Sequence, residues 1–149
     1  MDPKAIARLY DADYAASYED KFLTSDLARA DMEHEVRVLR RWLTSGARWL
    51  DVACGTGYFL SQFPDVTREG LDLSPAMLTR ARATNPGIAF HEGSFLDRHD
   101  EWNDLWDLVS CMWYAYGMVD TMQEIEILIE NLAAWTSPSR PSCSSTACT

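Results

Sequence analysis

Apolar positions in the first 45 residues recur at helical intervals. Met32, Val36, Leu39 and Leu43 stand four, three and four apart, which sets them on one face of a helix. Tyr10, Tyr14, Tyr18 and Phe22 fall four apart and form a single stripe if that segment is helical. Such a stripe either faces a core or makes a lid over a ligand pocket. After Gly46 the pattern changes. Residues 47–53 (ARWLDVA) read as a short buried strand running into the loop CGTG, with a helix expected from Tyr58. Pro64-Asp65 marks a turn, and residues 66–73 give a second strand that ends at Asp72. Ser74-Pro75 is a helix start, the hydroxyl capping a free N–H and the proline taking the first helical position. Met77, Leu78 and Ala81 follow on that helix, and Asn85-Pro86-Gly87 stops it. Residues 88–91 and 106–112 read as a third and a fourth strand. Thr121-x-x-Glu124 is a capping box, and Met122, Ile125, Leu128, Ile129, Leu132 and Trp135 carry helical periodicity to its end.

Alternating strands and helices behind a helical lead-in predict an α/β fold, with a mostly parallel sheet covered on both faces. Ligands on such sheets bind beyond the carboxyl ends of the strands. The chemically suggestive groups map to those ends: CGTG after the first strand, Asp72 at the second, Ser94-Phe95 after the third and residues 111–116 after the fourth.

With 149 residues, 47% of them apolar, the chain is sized for one domain. The longest uncharged stretch, residues 108–119, is too short to cross a bilayer, and the acidic, aromatic start does not resemble a secretion signal, so a cytoplasmic protein without a membrane partner is expected. A formal charge of −10 would repel a phosphate backbone, which argues against a nucleic-acid partner. Cys54, Cys111, Cys143 and Cys148 form no CxxC pair and read as free thiols, and no metal set is visible.

Gly55 and Gly57 let the backbone turn sharply and approach a ligand. A dinucleotide fingerprint would place a third glycine where Leu60 stands, which disfavours a nicotinamide oxidoreductase. Asp72, at the end of the second strand, suits the hydroxyls of an unphosphorylated ribose. LDVACGTGYFL, GLDLSPAMLTRAR and FHEGSFLD together resemble the class I S-adenosylmethionine-dependent methyltransferases, over roughly residues 49–135. The resemblance implies a Rossmann-like three-layer sandwich. It also implies that Asp51, Ala53, Cys54, Gly55 and Gly57 lie beneath the methionine part of the cofactor and that Asp72 meets the ribose. Leu73 and Met77 would lie against the adenine, Ser94 and Phe95 at its edge, and Met112 in the same site. DLVSCMWYAYGMVDT resembles the substrate side of small-molecule members, notably amino-sugar N-methyltransferases. The expected reaction moves a methyl group from S-adenosylmethionine to a small molecule, by N- or O-methylation, and leaves S-adenosylhomocysteine.

Two positions depart from the family. Ala53 replaces a glycine, which a negative φ and a methyl directed away from the cofactor would accommodate. Ser94 stands where many members have Asp and would offer a neutral hydroxyl to the adenine. Asp51 has an alternative role as a structural carboxylate accepting loop N–H bonds. In-line positioning supplies much of the rate when the nucleophile is a neutral amine. The residues expected to shape such a site are Tyr14, Tyr18, Trp113, Tyr114 and Tyr116, each of which also suits core packing. His99 is a candidate general base, or else a solvated loop residue.

The expected organisation is a methyltransferase domain over residues 1–136, with a helical lid over 1–45 and a disordered or non-native tail over 137–149. The later strands of the family fold are missing, which suggests a C-terminally shortened chain, through a reading-frame change near Pro138. The fourth strand would then be an open edge inviting a homodimer. A catalytically inactive cofactor-binding or subunit-interaction module is the alternative reading.

Overall fold

A computed structural model describes residues 2–22 and 24–138. Three helices lead in: α1 (Pro3–Leu9), α2 (Ala12–Phe22) and α3 (Asp26–Leu39). The Asp11 carboxylate accepts the Tyr14 N–H at 2.9 Å, so the chain restarts a helix there and the aromatic stripe crosses from the end of α1 onto α2. The stripe survives the break, with Tyr10 and Tyr14 5.1 Å apart and Tyr18 and Phe22 4.8 Å apart. Helix α3 ends four residues earlier than its periodicity suggests. A turn in which the Leu43 N–H reaches the Leu39 carbonyl still delivers Leu43 to the buried face of Met32 and Leu39.

The alternating region then gives β1 (Arg48–Val52), α4 (Tyr58–Ser61), β2 (Thr67–Asp72), α5 (Pro75–Thr84), β3 (Ala89–Glu92), β4 (Leu108–Cys111) and α6 (Met122–Trp135). Side-chain caps start α5 at Ser74 and α6 at Thr121, where the sequence places them, and Ser25 caps α3 as well. Glu124 reaches back to the Asp120 N–H at 2.7 Å, one residue beyond the usual capping-box partner.

All four strands are parallel, in the order β3-β2-β1-β4. Residues of β1 alternate between two cores because successive side chains leave opposite faces of a sheet. Trp49 packs with Met32, Leu39, Leu60, Leu78 and Phe90, beneath α3, α4 and α5. Leu50 and Val52 pack with Trp102, Trp106, Leu128 and Trp135, on the α6 side. The result is the three-layer α/β sandwich expected.

Strand β1 is interior and β4 lies at one side of the sheet. Thr136 forms a parallel bridge with Trp106, and the Ser137 N–H reaches the Trp106 carbonyl at 2.7 Å. The chain leaving α6 therefore turns alongside the approach to β4. The outer edge of β4 itself has no partner strand among the described residues. Of the tail expected over residues 137–149, residues 139–149, with Cys143 and Cys148, lie outside the described residues. Among the described residues no helix is long and apolar enough to cross a membrane.

Candidate functional site

The carboxyl ends of β1, β2 and β4 converge on one rim of the sheet, and the loop after β1 folds over it. Cys54 continues the β-type pairing by donating its N–H to the Leu71 carbonyl at 3.0 Å, and Gly57 closes a turn onto the Cys54 carbonyl at 2.9 Å. Three alternate residues of this loop are left-handed: Ala53 at φ +54°, Gly55 at +55° and Gly57 at +74°. The expectation of a negative φ at Ala53 is therefore corrected. The turn imposes the same left-handed backbone there as at its two glycines, although an L side chain resists it. At Gly57 a Cβ would stand 3.0 Å from Asn85 Nδ2 and 3.1 Å from the Phe90 ring, so this residue lets the loop sit close against α5 and β3. Gly70 plays a matching role in β2, where a Cβ would come within 2.6 Å of the Cys54 sulfur.

Two buried carboxylates stand at the carboxyl ends of the central strands, Asp51 one residue before the end of β1 and Asp72 at the end of β2, in different settings. Asp72 Oδ2 accepts the Gly55 N–H and Oδ1 the Ser74 N–H, both at 2.8 Å, so this side chain joins the two loops. Burial raises its pKa while these backbone N–H groups oppose the rise. Asp51, 1% exposed, takes no such loop bonds. Its Oδ1 accepts the Ser110 hydroxyl at 2.6 Å from across the sheet, and burial pushes its pKa from 3.8 up to about 7.

Beside Asp72 lies a cavity of about 90 Å³ lined by Tyr10, Tyr18, Leu73, Met77, Phe95 and Trp113. An adjoining recess of about 30 Å³ is lined by Asp51, Cys54, Thr56, Tyr58 and Phe59. Ala53, Gly55, Tyr18, Met112 and Trp113 border both. In the recess the buried Thr56 hydroxyl oxygen has no hydrogen-bond partner.

The helical lead-in is tied to this rim at two points. The Ser74 hydroxyl donates to the Tyr10 carbonyl at 2.5 Å, and the Trp113 indole donates to Glu35 at 2.8 Å. Tyr18 and Trp113 approach ring to ring at 6.0 Å, and burial raises the Tyr18 pKa, so its phenol stays a protonated donor.

Other candidates fall elsewhere. Gly57 packs rather than lines. The Ser94 hydroxyl accepts the Leu96 N–H at 3.0 Å and is outside both cavity linings. Tyr14 sits under Lys21, 4.2 Å from its ammonium. Trp113 and Tyr114 are both left-handed, a turn that sends Tyr114 and Tyr116 outward, 77% and 46% exposed, while Ala115 and Met118 take the lining positions. His99 stacks on Trp102 at 4.1 Å, with its Nε2 buried and unpartnered, so it packs rather than standing in solvent. Ser110, Asn85, Gly70 and Glu35 carry roles that no local motif announces.

A carboxylate beside an apolar slot, next to a recess with a second carboxylate and an unpartnered hydroxyl, can hold a nucleoside bearing a cationic tail. The slot suits a flat base, Asp72 the sugar hydroxyls and Asp51 a positive charge.

Comparison with known proteins agrees with this chemistry. The family described as methyltransferase domain matches residues 50–139. A Streptomyces fradiae dTDP-3-amino-3,6-dideoxy-alpha-D-glucopyranose N,N-dimethyltransferase is 34% identical over 136 residues, 89% of this chain and 49% of the relative. A Streptomyces venezuelae dTDP-3-amino-3,4,6-trideoxy-alpha-D-glucopyranose N,N-dimethyltransferase is 30% identical, over 87% of this chain and 55% of its own length. Among solved structures, the S-adenosylmethionine-bound amino pentose methyltransferase of Micromonospora echinaspora superposes with a TM-score of 0.62 at 32% identity, covering 87% of this chain and 53% of that one. Streptomyces venezuelae DesVI gives a TM-score of 0.70 at 27% identity, covering 87% and 55%. The chain thus spans about half the length of the relatives it matches. By its matched segment, its sheet and the groups on its rim, the chain belongs to the S-adenosylmethionine-dependent class I methyltransferases.

Proposed function

We propose that this chain forms the cofactor-binding part of a methyltransferase that N-methylates an amino sugar, of the kind its Streptomyces relatives act on as dTDP-linked 3-amino sugars. The observation that carries this reading is the pair of buried carboxylates at adjacent strand ends beside one apolar slot. Asp72 would accept the ribose hydroxyls through the lone pairs its two N–H partners leave free. Leu73, Met77 and Phe95 would sandwich the adenine, and Asp51 with Thr56 would hold the methionine tail. When bound, the cofactor supplies a methyl group on a sulfonium, a donor that a neutral amine can attack without a strong base.

The chain's part is then binding, alignment and exclusion of water. Tyr18 and Trp113 close the rim beside the reacting centre, and Tyr18 offers a hydroxyl that stays protonated. Helices α1 to α3 act as a lid, held by the Ser74 to Tyr10 and Trp113 to Glu35 bonds. A second copy pairing on the outer edge of β4 would give a homodimer. A reducing, cytoplasmic setting accords with the free thiols of Cys54 and Cys111.

The test is calorimetric titration of the chain with S-adenosylmethionine and S-adenosylhomocysteine, followed by mass analysis of dTDP-amino sugars incubated with chain and cofactor. One-to-one binding and products carrying one or two added methyl groups are expected. Absence of binding by the folded chain overturns the cofactor assignment, and binding without product leaves the inactive module.

A further inference from the structure

The Asp51 carboxylate meets the sheet through one hydrogen bond, and the donor's orientation follows from its own neighbours. Asp51 and Ser110 are direct partners in the parallel register of β1 and β4. The Ser110 hydroxyl lies 2.8 Å from Trp49 Nε1 and 2.6 Å from Asp51 Oδ1. An indole N–H only donates, so the serine oxygen accepts from Trp49, and toward an ionised Asp51, which can only accept, the hydroxyl gives its single proton. Trp49 is wholly buried and cannot swing away. The chain Trp49 to Ser110 to Asp51 therefore has one direction. It fixes Oδ1 and leaves Oδ2 without a hydrogen bond among the described residues, in a side chain that lines the recess.

We propose that Ser110 is the positioning residue of the site: backed by the Trp49 indole, its hydroxyl clamps Asp51 Oδ1 and presents Oδ2 to the cationic tail of the cofactor. The proposal rests on the cofactor reading above. The Ser110 bond also favours the charged form of Asp51, against burial and against the neighbouring acids Asp72 on β2 and Glu35 on α3. The thiols of Cys54 in the loop and Cys111 on β4 and the phenol of Tyr18 on α2 are all held protonated by burial and supply no opposing charge. Removing the serine hydroxyl leaves the carboxylate neutral over a wider pH range and free to turn.

The test titrates S-adenosylhomocysteine into the wild-type chain and into Ser110→Ala and Ser110→Thr, from about pH 5.5 to about pH 7.5, where an α-amino group with a pKa of about 7.7 to 8.0 stays mostly protonated. Wild-type affinity is expected to rise with pH as Asp51 ionises. Ser110→Ala should bind about tenfold more weakly near neutrality, with the midpoint of its pH profile moved upward, and Ser110→Thr should restore both. If the alanine variant does not fold, Ser110→Cys, whose thiol is a weak donor, should show the same shift.

A ligand-free reading separates this role from simple packing. The ¹H–¹⁵N resonance of the Trp49 indole should titrate with Asp51 through the serine hydroxyl, and lose that dependence in Ser110→Ala. A wild type that binds, beside a Ser110→Ala variant of unchanged affinity and midpoint, overturns the Ser110 assignment and leaves the cofactor reading intact. A Trp49 resonance indifferent to pH overturns the assignment as well. Failure of the wild type to bind overturns both.

Discussion

The two central strands both carry an aspartate at the carboxyl end, Asp51 next to last in β1 and Asp72 last in β2, yet their exits are built differently. After β2 the chain turns directly into α5: Asp72 receives two backbone N–H groups, Ser74 caps the helix, and no residue from 72 to 75 is left-handed. After β1 it passes through three left-handed residues before α4, and Asp51 receives one side-chain hydroxyl. Backbone donors are fixed by the fold and stabilise a charge at no further ordering cost, whereas one hydroxyl must be held by a neighbour of its own. The β2 exit is therefore a carboxylate whose two oxygens the backbone holds in place. The β1 exit is proton-linked and strained.

Loss of the Asp51 charge should have the largest effect. Its folded-state pKa of about 7 exceeds the ordinary 3.8, so between those values the native chain holds a proton that the unfolded chain has released. The stability from this group is fully present below about pH 4, falls as pH rises toward 7, and then levels off, a span of up to about 4 kcal/mol. Asp51→Asn keeps an oxygen for Ser110 and cannot ionise. Urea denaturation of both proteins at several pH values should show their stabilities diverging in favour of the variant as pH rises. Parallel curves would mean that Asp51 is charged throughout and that the contrast between the two exits is false.

Breaking the other exit comes next. Asp72→Ala strands the Gly55 and Ser74 N–H groups together and should lower stability by about 3 kcal/mol, with S-adenosylhomocysteine affinity reduced about a hundredfold or more. An affinity unchanged in a folded variant would remove Asp72 from the ribose.

The glycines of the β1 exit sharpen the comparison at a finer scale. Gly57→Ala meets both the left-handed backbone and the close Asn85 and Phe90 atoms, and should cost about 2 to 3 kcal/mol. Gly55→Ala meets only the backbone penalty, its nearest neighbour being the Tyr18 ring at 4.0 Å, and should cost about 1 kcal/mol. Thermal unfolding of the pair would rank them, and equal losses would show that α5 and β3 yield to the added methyl.

What the sequence reveals divides along the same line. Local signals place the β2 exit well: Ser74-Pro75 announces both cap and first helical residue, and the second strand is read as ending at Asp72, where the structure ends it. Spacing alone locates the helical stretches and part of their buried faces, down to Leu43, which reaches its face through a turn, but it misses the break between α1 and α2 and the exposure of Met122 and Ile129. Pairings set by tertiary register leave no such trace. Ser110 lies 59 residues from Asp51, inside an otherwise apolar strand, and becomes meaningful only once β4 lies beside β1. Glu35 and Trp113 meet across 78 residues. The outward turn of Tyr114 and Tyr116 depends on two left-handed residues that carry neither glycine nor asparagine, so no turn chemistry marks it.

Ala53 is the smallest and most delicate test, because three terms oppose one another there. Its left-handed backbone costs about 1 to 2 kcal/mol for an alanine and almost nothing for a glycine. Glycine returns about 0.4 to 1 kcal/mol of that through the greater freedom it gives the unfolded chain. The methyl also packs against the core of Leu50, Val52 and Leu71, and that contact is forfeited. Ala53→Gly should therefore gain only about 0.5 kcal/mol, measured as a urea midpoint shift at unchanged slope. A gain shows that the loop after β1 stores strain at its first residue; a loss shows that the methyl earns its place by packing and that the strained turn is carried by Gly55 and Gly57 alone.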